Sequence, residues 1–156
     1  MPRHSEVRNL TFSALQMFDL VLDVVKYPEF LPWCVATRVK SKVYDSKSGD
    51  SKSGDGEKGE MVADMAVGFK MIQERYTSRI TFETPFHIHI TDIGGPFKKL
   101  ETDWRFVPTA DGCEVDFQID FEFRSALLER VMGGVFADAA HKMMQAFITR
   151  AETVYT

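Results

Sequence analysis

The sequence predicts a single α+β domain over residues 1–156, in which a curved antiparallel sheet of about seven strands wraps around one long C-terminal helix. Two observations lead to this fold class. Apolar and polar residues alternate with a period of two in six segments between residues 33 and 123, after a shorter strand pattern at 4–11. A helical pattern then fills residues 126–155, long enough to lie across a whole sheet.

Composition limits the class of protein. A chain of 156 residues with 44% hydrophobic residues and thirteen Phe can bury one sizeable core, which excludes general disorder. The net charge of −4 and the absence of a basic stripe argue against binding to DNA. We find neither a signal peptide nor an apolar run of about 20 residues, so we expect a cytoplasmic protein. Cys34 and Cys113 are expected to be thiols.

The first helix is predicted over Ala14–Val25. Ser13 and Gln16 form a capping-box pattern at its start, and Pro28 is expected to end it. The helix is apolar around most of its girth, so it must be covered on more than one side. A second short helical turn, between Pro28 and Pro32, is expected to carry Phe30 to Trp33.

The six strands are predicted at 33–43, 61–71, 73–82, 85–93, 98–107 and 113–123. The first of them has a basic outer face. Between it and the next, the pentapeptide SKSGD occurs twice in succession, which indicates a flexible hairpin loop at 46–58. The last strand shows the cleanest alternation, with Cys113 to Phe123 facing the core at every second position. Gly133 and Gly134 inside the final helix suggest a kink or a close approach.

The space between the helix and the curved sheet is either filled by side chains or left as an elongated pocket. Aromatic side chains at regular spacing are usually core, so composition alone favours a filled core. If the space is hollow, its lining has almost no polar groups and suits an apolar ligand. The candidate lining residues are Phe30, Trp33, Val67, Phe69, Ile80, Phe82, Leu100, Trp104, Phe117, Phe121, Phe136 and Met143.

Catalytic and metal-binding patterns are weak. His87 and His89 form an H-x-H pair on one strand face, but Asp92 lies on the opposite face and the sequence places no acid or cysteine beside them. Phosphate-binding loops, nucleophile elbows and CxxC pairs do not occur in the sequence. We therefore expect no metal, no cofactor and no enzymatic activity.

Two motifs and the final helix carry a family resemblance. YPEFLPWC at 27–34, GPFKKLETDWRF at 95–106 and the helix around Phe136, Ala146, Phe147 and Arg150 resemble the coenzyme Q-binding START-like family, which includes the bacterial ribosome-association toxin proteins. The resemblance implies a helix-grip fold with a lipid-sized cavity, and it reverses the preference for a filled core. The acidic net charge favours the quinone-binding branch over the ribosome-binding branch.

The resemblance implies non-catalytic binding of ubiquinone, or a similar polyprenyl lipid, that supports the respiratory chain. The alternatives are a ribosome-association toxin that binds the large ribosomal subunit, and a cyclase-like enzyme of the same fold, which a dry apolar lining would reject. We expect peripheral contact with the inner membrane through Tyr27, Phe30, Leu31 and Trp33. Tyr76, Trp104 and Arg75 are candidate head-group donors.

Overall fold

The structure is a computed structural model that describes residues 3–31, 33–44, 58–69, 72–93 and 97–155. The strands are β1 (Arg3–Leu10), β2 (Cys34–Tyr44), β3 (Lys58–Phe69), β4 (Ile72–Glu83), β5 (His87–Ile93), β6 (Phe97–Pro108) and β7 (Cys113–Phe123). The helices are α1 (Ala14–Leu22), a 3-10 helix (Val24–Glu29) and α2 (Ala126–Tyr155). The duplicated SKSGD segment falls outside the described residues.

All seven strands form one sheet in the order β1-β7-β6-β5-β4-β3-β2, and every neighbouring pair is antiparallel. Strands β2 to β7 follow one another in space as they do in sequence, and β1 returns to pair with β7. The sheet is therefore open, with β1 and β2 at its edges. The predicted α+β architecture, with a curved seven-stranded sheet and a long C-terminal helix, is confirmed.

The core lies between the concave face of the sheet and the two α-helices. On β7 every odd-numbered residue from Cys113 to Phe123 is buried, as the alternation predicts. Helix α2 lays Phe147 against the sheet, where its ring meets Trp104 edge-on at 5.2 Å between centroids. Trp104 in turn packs at 4.4 Å on Phe117 of the neighbouring strand. Ring contacts of this kind join the helix to the centre of the sheet.

The capping box at Ser13 and Gln16 is present, but α1 ends at Leu22 rather than Val25. The chain continues as a 3-10 helix that contains Pro28. Proline is accommodated there because the bonds of this segment, Lys26 N to Asp23 O and Phe30 N to Tyr27 O, do not use its nitrogen.

Two apolar side chains of β2 do not follow the predicted alternation. Register shifts lie between Cys34 and Ala36 and between Val39 and Ser41. A bulge places an extra residue in one strand, so the face on which later side chains lie changes. Val35 and Val43 are consequently 63% and 64% exposed. Phe86 is also exposed, because β5 begins one residue after it.

Candidate ligand cavity

A cavity of about 220 Å³ lies between α2, the concave face of β3 to β7 and the connection into β2. Its wall is mostly apolar, with a small group of polar side chains from β4, β5 and β6. The described lining residues are Tyr27, Leu31, Trp33, Cys34, Met65, Val67, Gly68, Glu74, Tyr76, Ser78, Ile90, Asp92, Phe97, Leu100, Thr102, Trp104, Ile119, Phe123, Ala139, Ala140, Met143 and Phe147.

The small side chains of α2 help to explain why the space is hollow. Ala139 and Ala140 are consecutive wall residues on the helix, and Met143 and Phe147 follow at helical spacing. An alanine reaches only one carbon towards the sheet, so the helix leaves a gap opposite these two positions. Towards the C-terminal end of α2, the cavity wall continues from these alanines to the larger side chains of Met143 and Phe147.

The polar part of the wall centres on Asp92. The strand register pairs Ser78 of β4 with Asp92 of β5, and the Ser78 hydroxyl donates a hydrogen bond to Asp92 Oδ1. Tyr76 lies two residues before Ser78 on the same strand face and also lines the cavity. The wall therefore has a hydrogen-bonding corner in mostly apolar surroundings.

Burial changes the acid–base behaviour of this corner. Desolvation raises the pKa of Asp92 from 3.8 to about 7, against the opposing effect of the Ser78 hydrogen bond. Desolvation, followed by the proximity of the Asp92 carboxylate, raises the pKa of Tyr76 well above 10.0. Near neutral pH the Asp92 carboxyl group can donate a hydrogen bond when protonated and only accept one when ionised.

The structure brings five of the predicted lining residues to the cavity wall: Trp33, Val67, Leu100, Trp104 and Met143. Trp33 comes from the connection into β2, Val67, Leu100 and Trp104 come from the sheet, and Met143 comes from α2. The side chains of Phe69 and Phe136 fall outside what the structure describes.

The remaining predicted lining residues that the structure describes lie in the packed core or, for Phe30, against it, and are not on the described wall. Phe82 packs against Phe18 of α1, with ring centroids 6.3 Å apart, because α1 covers that end of the sheet. Phe30 packs on Phe147 at 5.3 Å. Ile80, Phe117 and Phe121 are each no more than 1% exposed. The alternation identified the concave face but could not tell which part of that face the helices cover.

The predicted membrane contact is only partly at the surface. Tyr27 and Leu31 are each 8% exposed, and the Tyr27 hydroxyl donates to the carbonyl of Val21. These two side chains lie in the cavity wall, so the structure does not present them at the surface for a membrane contact. Phe30 and Trp33 are half-buried.

The three candidate head-group donors also divide between the cavity wall and the exposed surface. Tyr76 and Trp104 line the cavity, whereas Arg75 is exposed on the opposite face of β4. Sequence reasoning missed Ser78 and Asp92, although their positions relative to Tyr76 and Ile90 place them on inward faces. The lining is consequently not the dry apolar surface that would have rejected an enzymatic role.

The sequence placed no acid beside the H-x-H pair, and this was wrong. Asp103 of β6 stands opposite His89 in the register. Its Oδ1 lies 2.5 Å from His87 Nε2 and 3.2 Å from His89 Nδ1. Arg105 Nε donates to the other oxygen of this carboxylate at 3.1 Å. The acid is distant in sequence and adjacent only through the pairing of β5 with β6.

Known proteins share both the sequence and the fold. The ribosome association toxin RatA of Escherichia coli strain K12 is 35% identical, and the match covers 100% of this chain and 90% of the toxin. The mitochondrial coenzyme Q-binding protein COQ10 homolog B of Xenopus laevis is 34% identical, over 97% of this chain and 59% of that protein.

One solved structure is similar to this chain in both sequence and fold. The solution structure of an 18 kDa protein from Caulobacter crescentus is 32% identical, covers 99% of both chains and has a TM-score of 0.75. Residues 10–148 also match the family described as polyketide cyclase / dehydrase and lipid transport. The chain therefore belongs to this START-like family, together with the ribosome association toxins and the coenzyme Q-binding proteins.

Proposed function

We propose that this protein binds ubiquinone, or a similar polyprenyl lipid, in the cavity without catalysing a reaction on it. The observation that carries the proposal is the combination of a mostly apolar wall with one hydrogen-bonding corner at Ser78 and Asp92. Ubiquinone has two ring carbonyl oxygens, para to each other, that accept hydrogen bonds, and a long apolar tail attached to the same ring. The resemblance to a coenzyme Q-binding protein over 97% of this chain supports the same ligand class.

The polar corner suits the quinone ring. A protonated Asp92 can donate a hydrogen bond to a quinone carbonyl, and the Tyr76 hydroxyl lies on the same strand face. The ring would lie between these groups and the indole of Trp104. Leu100, Met143 and Val67 would then contact the first part of the tail.

The size of the cavity limits how much of the lipid it holds. Its volume of about 220 Å³ is below the roughly 300–1,000 Å³ of pockets that enclose drug-sized ligands. We expect it to hold the ring and the start of the tail, while the rest of a long tail leaves past Trp33 towards a membrane. This arrangement would let a carrier release its ligand directly into a bilayer.

Intrinsic fluorescence tests the proposal. The chain has two Trp residues, and both line the cavity. A short-tailed ubiquinone analogue should therefore quench the emission of the purified protein in a saturable way. Organic extraction and mass spectrometry of protein reconstituted with excess ubiquinone should recover the quinone at a stoichiometric amount. Recovery of phospholipid alone, or of no lipid, would reject quinone binding.

A cavity-filling variant identifies the site. Met143→Trp places a larger side chain in the wall and should lower the amount of quinone that stays bound during gel filtration. Lys142→Trp, at the neighbouring exposed position on α2, is the matched control and should retain quinone. Equal retention by the two variants would place the ligand elsewhere.

Ribosome binding is the second candidate function. Relatives named ribosome association toxin match nearly the whole chain, and edge strand β2 carries the exposed side chains of Arg38, Lys40 and Lys42. Basic side chains at a sheet edge can contact RNA phosphates. Cosedimentation with large ribosomal subunits in a sucrose gradient tests this function, and Lys40→Glu should reduce it, whereas Lys98→Glu on β6 should not. Protein that stays at the top of the gradient would reject it.

A further inference from the structure

A second cluster of potential ligands joins β1 to α2, away from the cavity wall. Glu6 Oε1 lies 2.7 Å from His4 Nε2 and 2.7 Å from His141 Nδ1. His4 and Glu6 are two residues apart on one face of β1, and His141 comes from α2. From the geometry we propose that His4, Glu6 and His141 form a binding site for Zn²⁺.

The donor set fits this ion. Two imidazole nitrogens and one carboxylate oxygen are ligands that Zn²⁺ uses in proteins, and three protein ligands leave a fourth position for water. The three ligand atoms lie within 4.8 Å of one another. In a tetrahedral site with bonds of about 2.0–2.1 Å, ligand atoms are roughly 3.3 Å apart. The ligand nitrogens of His4 and His141 would each need to move only about 0.6 Å farther from Glu6 Oε1. Rotation of the side chains on β1 and α2 allows this movement.

The state of Glu6 supports a cation at this position. Its side chain is only 11% exposed, and its Oε2 is buried without a hydrogen-bond partner among the described residues, although Arg8 Nη2 lies 3.4 Å away. Burying a carboxylate oxygen without hydrogen bonds is costly, and a coordinated metal ion would offset that cost. His141 is 53% exposed, so an ion can reach the site from solvent.

The His87–His89–Asp103 cluster is a natural comparison within the same chain. It has the same donor types, and its ligand atoms also all lie within 4.8 Å of one another. However, Arg105 donates to its carboxylate at 3.1 Å, so a cation there must compete with a guanidinium group already in place. Arg8 lies farther from Glu6 and makes no hydrogen bond to it. The Glu6 cluster is thus the better candidate.

A bound ion would fasten an edge strand to the terminal helix. β1 pairs with β7 on one side only, so its other edge has no neighbour among the described strands. His141 is the ligand from α2, and coordination would fix the distance between the helix and this strand. Zn²⁺ should therefore stabilise the folded chain and slow hydrogen exchange in β1.

Metal titration of the full chain, without an affinity tag and after chelator treatment, tests the site. We expect calorimetry to show one Zn²⁺ bound per chain, the melting temperature to rise with Zn²⁺, and Co²⁺ to give the visible absorption of a tetrahedral site. His141→Ala changes an exposed side chain, should fold normally, and should weaken Zn²⁺ binding at least tenfold. Glu6→Gln should also weaken Zn²⁺ binding at least tenfold.

His89→Ala is the matched control, because it removes a histidine from the comparison cluster. It should bind Zn²⁺ as the unmodified chain does. The proposal is overturned if the unmodified chain binds no Zn²⁺, if His141→Ala binds it with unchanged affinity, or if His89→Ala abolishes binding. None of these outcomes depends on quinone, so the site can fail while the proposed function of the cavity stands.

Discussion

Replacing Asp92 by Asn should stabilise the protein at alkaline pH more than at acidic pH. The carboxyl group lies in the cavity wall, and desolvation there raises its pKa from 3.8 to about 7. Between these two values the folded chain keeps a proton that the unfolded chain has lost. Stability therefore falls as the pH rises from about 4 to about 7, since the folded state binds more protons.

The magnitude follows from the size of the shift. A displacement of about 3 pKa units corresponds to roughly 4 kcal/mol, and this whole penalty is present at pH 8. At pH 5 less than half of it is present, because the unfolded carboxyl is then ionised while the folded one is still protonated. Asn cannot ionise, and its side-chain oxygen can still accept the hydrogen bond from Ser78.

Urea denaturation at pH 5 and pH 8 measures the effect. We compare the free energy of unfolding of Asp92→Asn with that of the unmodified chain at each pH. The difference in favour of the variant should be smaller at pH 5 than at pH 8 by roughly 2–3 kcal/mol. Asp111→Asn, in the exposed turn before β7, is the control and should show no comparable change with pH. If the difference for Asp92→Asn is the same at both pH values, Asp92 does not titrate as its burial predicts.

Three further predictions concern stability and membrane contact. Gly59→Ala should lower the free energy of unfolding by about 1–3 kcal/mol, since an added Cβ would lie 2.5 Å from the Phe82 ring; an unchanged urea midpoint would contradict this. Tyr27→Phe removes the buried donor to Val21 O and should cost about 1–2 kcal/mol in the same assay, whereas a neutral effect would show that this hydrogen bond contributes little. Trp33→Ser should weaken flotation with lipid vesicles while the melting temperature stays close to that of the unmodified chain; unchanged flotation would remove this residue from the membrane contact.

The fold was predictable because its signals are local. Strand β7 was predicted with the bounds it has, since eleven residues alternate without interruption and the turn before them contains Asp111 and Gly112. The capping box at Ser13 likewise depends on residues three positions apart. The less accurate limits, at the end of α1 and along β2, occur where a 3-10 helix and two register shifts replace regular geometry.

The site was less predictable because it depends on which surfaces meet. Both tryptophans lie on the wall, but Phe82 and Phe121 share the inward pattern of Leu100 and lie outside it. The difference is set by where α1 and α2 cover the sheet, and a period-two pattern carries no information about that. The polar corner was overlooked for a related reason, since Ser78 and Asp92 are unremarkable until the pairing of β4 with β5 joins them.

The sequence by itself determined the alternation of core-facing residues along the strands, the long terminal helix and the family. Each of these depends on neighbouring residues or on short motifs. Only the tertiary structure decided that the interior is partly hollow, that Tyr27 and Leu31 are buried, and that Glu6 meets His141 across 135 residues of chain. The physical reason is that a cavity or a ligand cluster is a property of the packing between distant elements. Its members are chosen by strand register and by the volumes of the side chains that surround it, such as Ala139, Ala140 and Trp104 on the cavity wall.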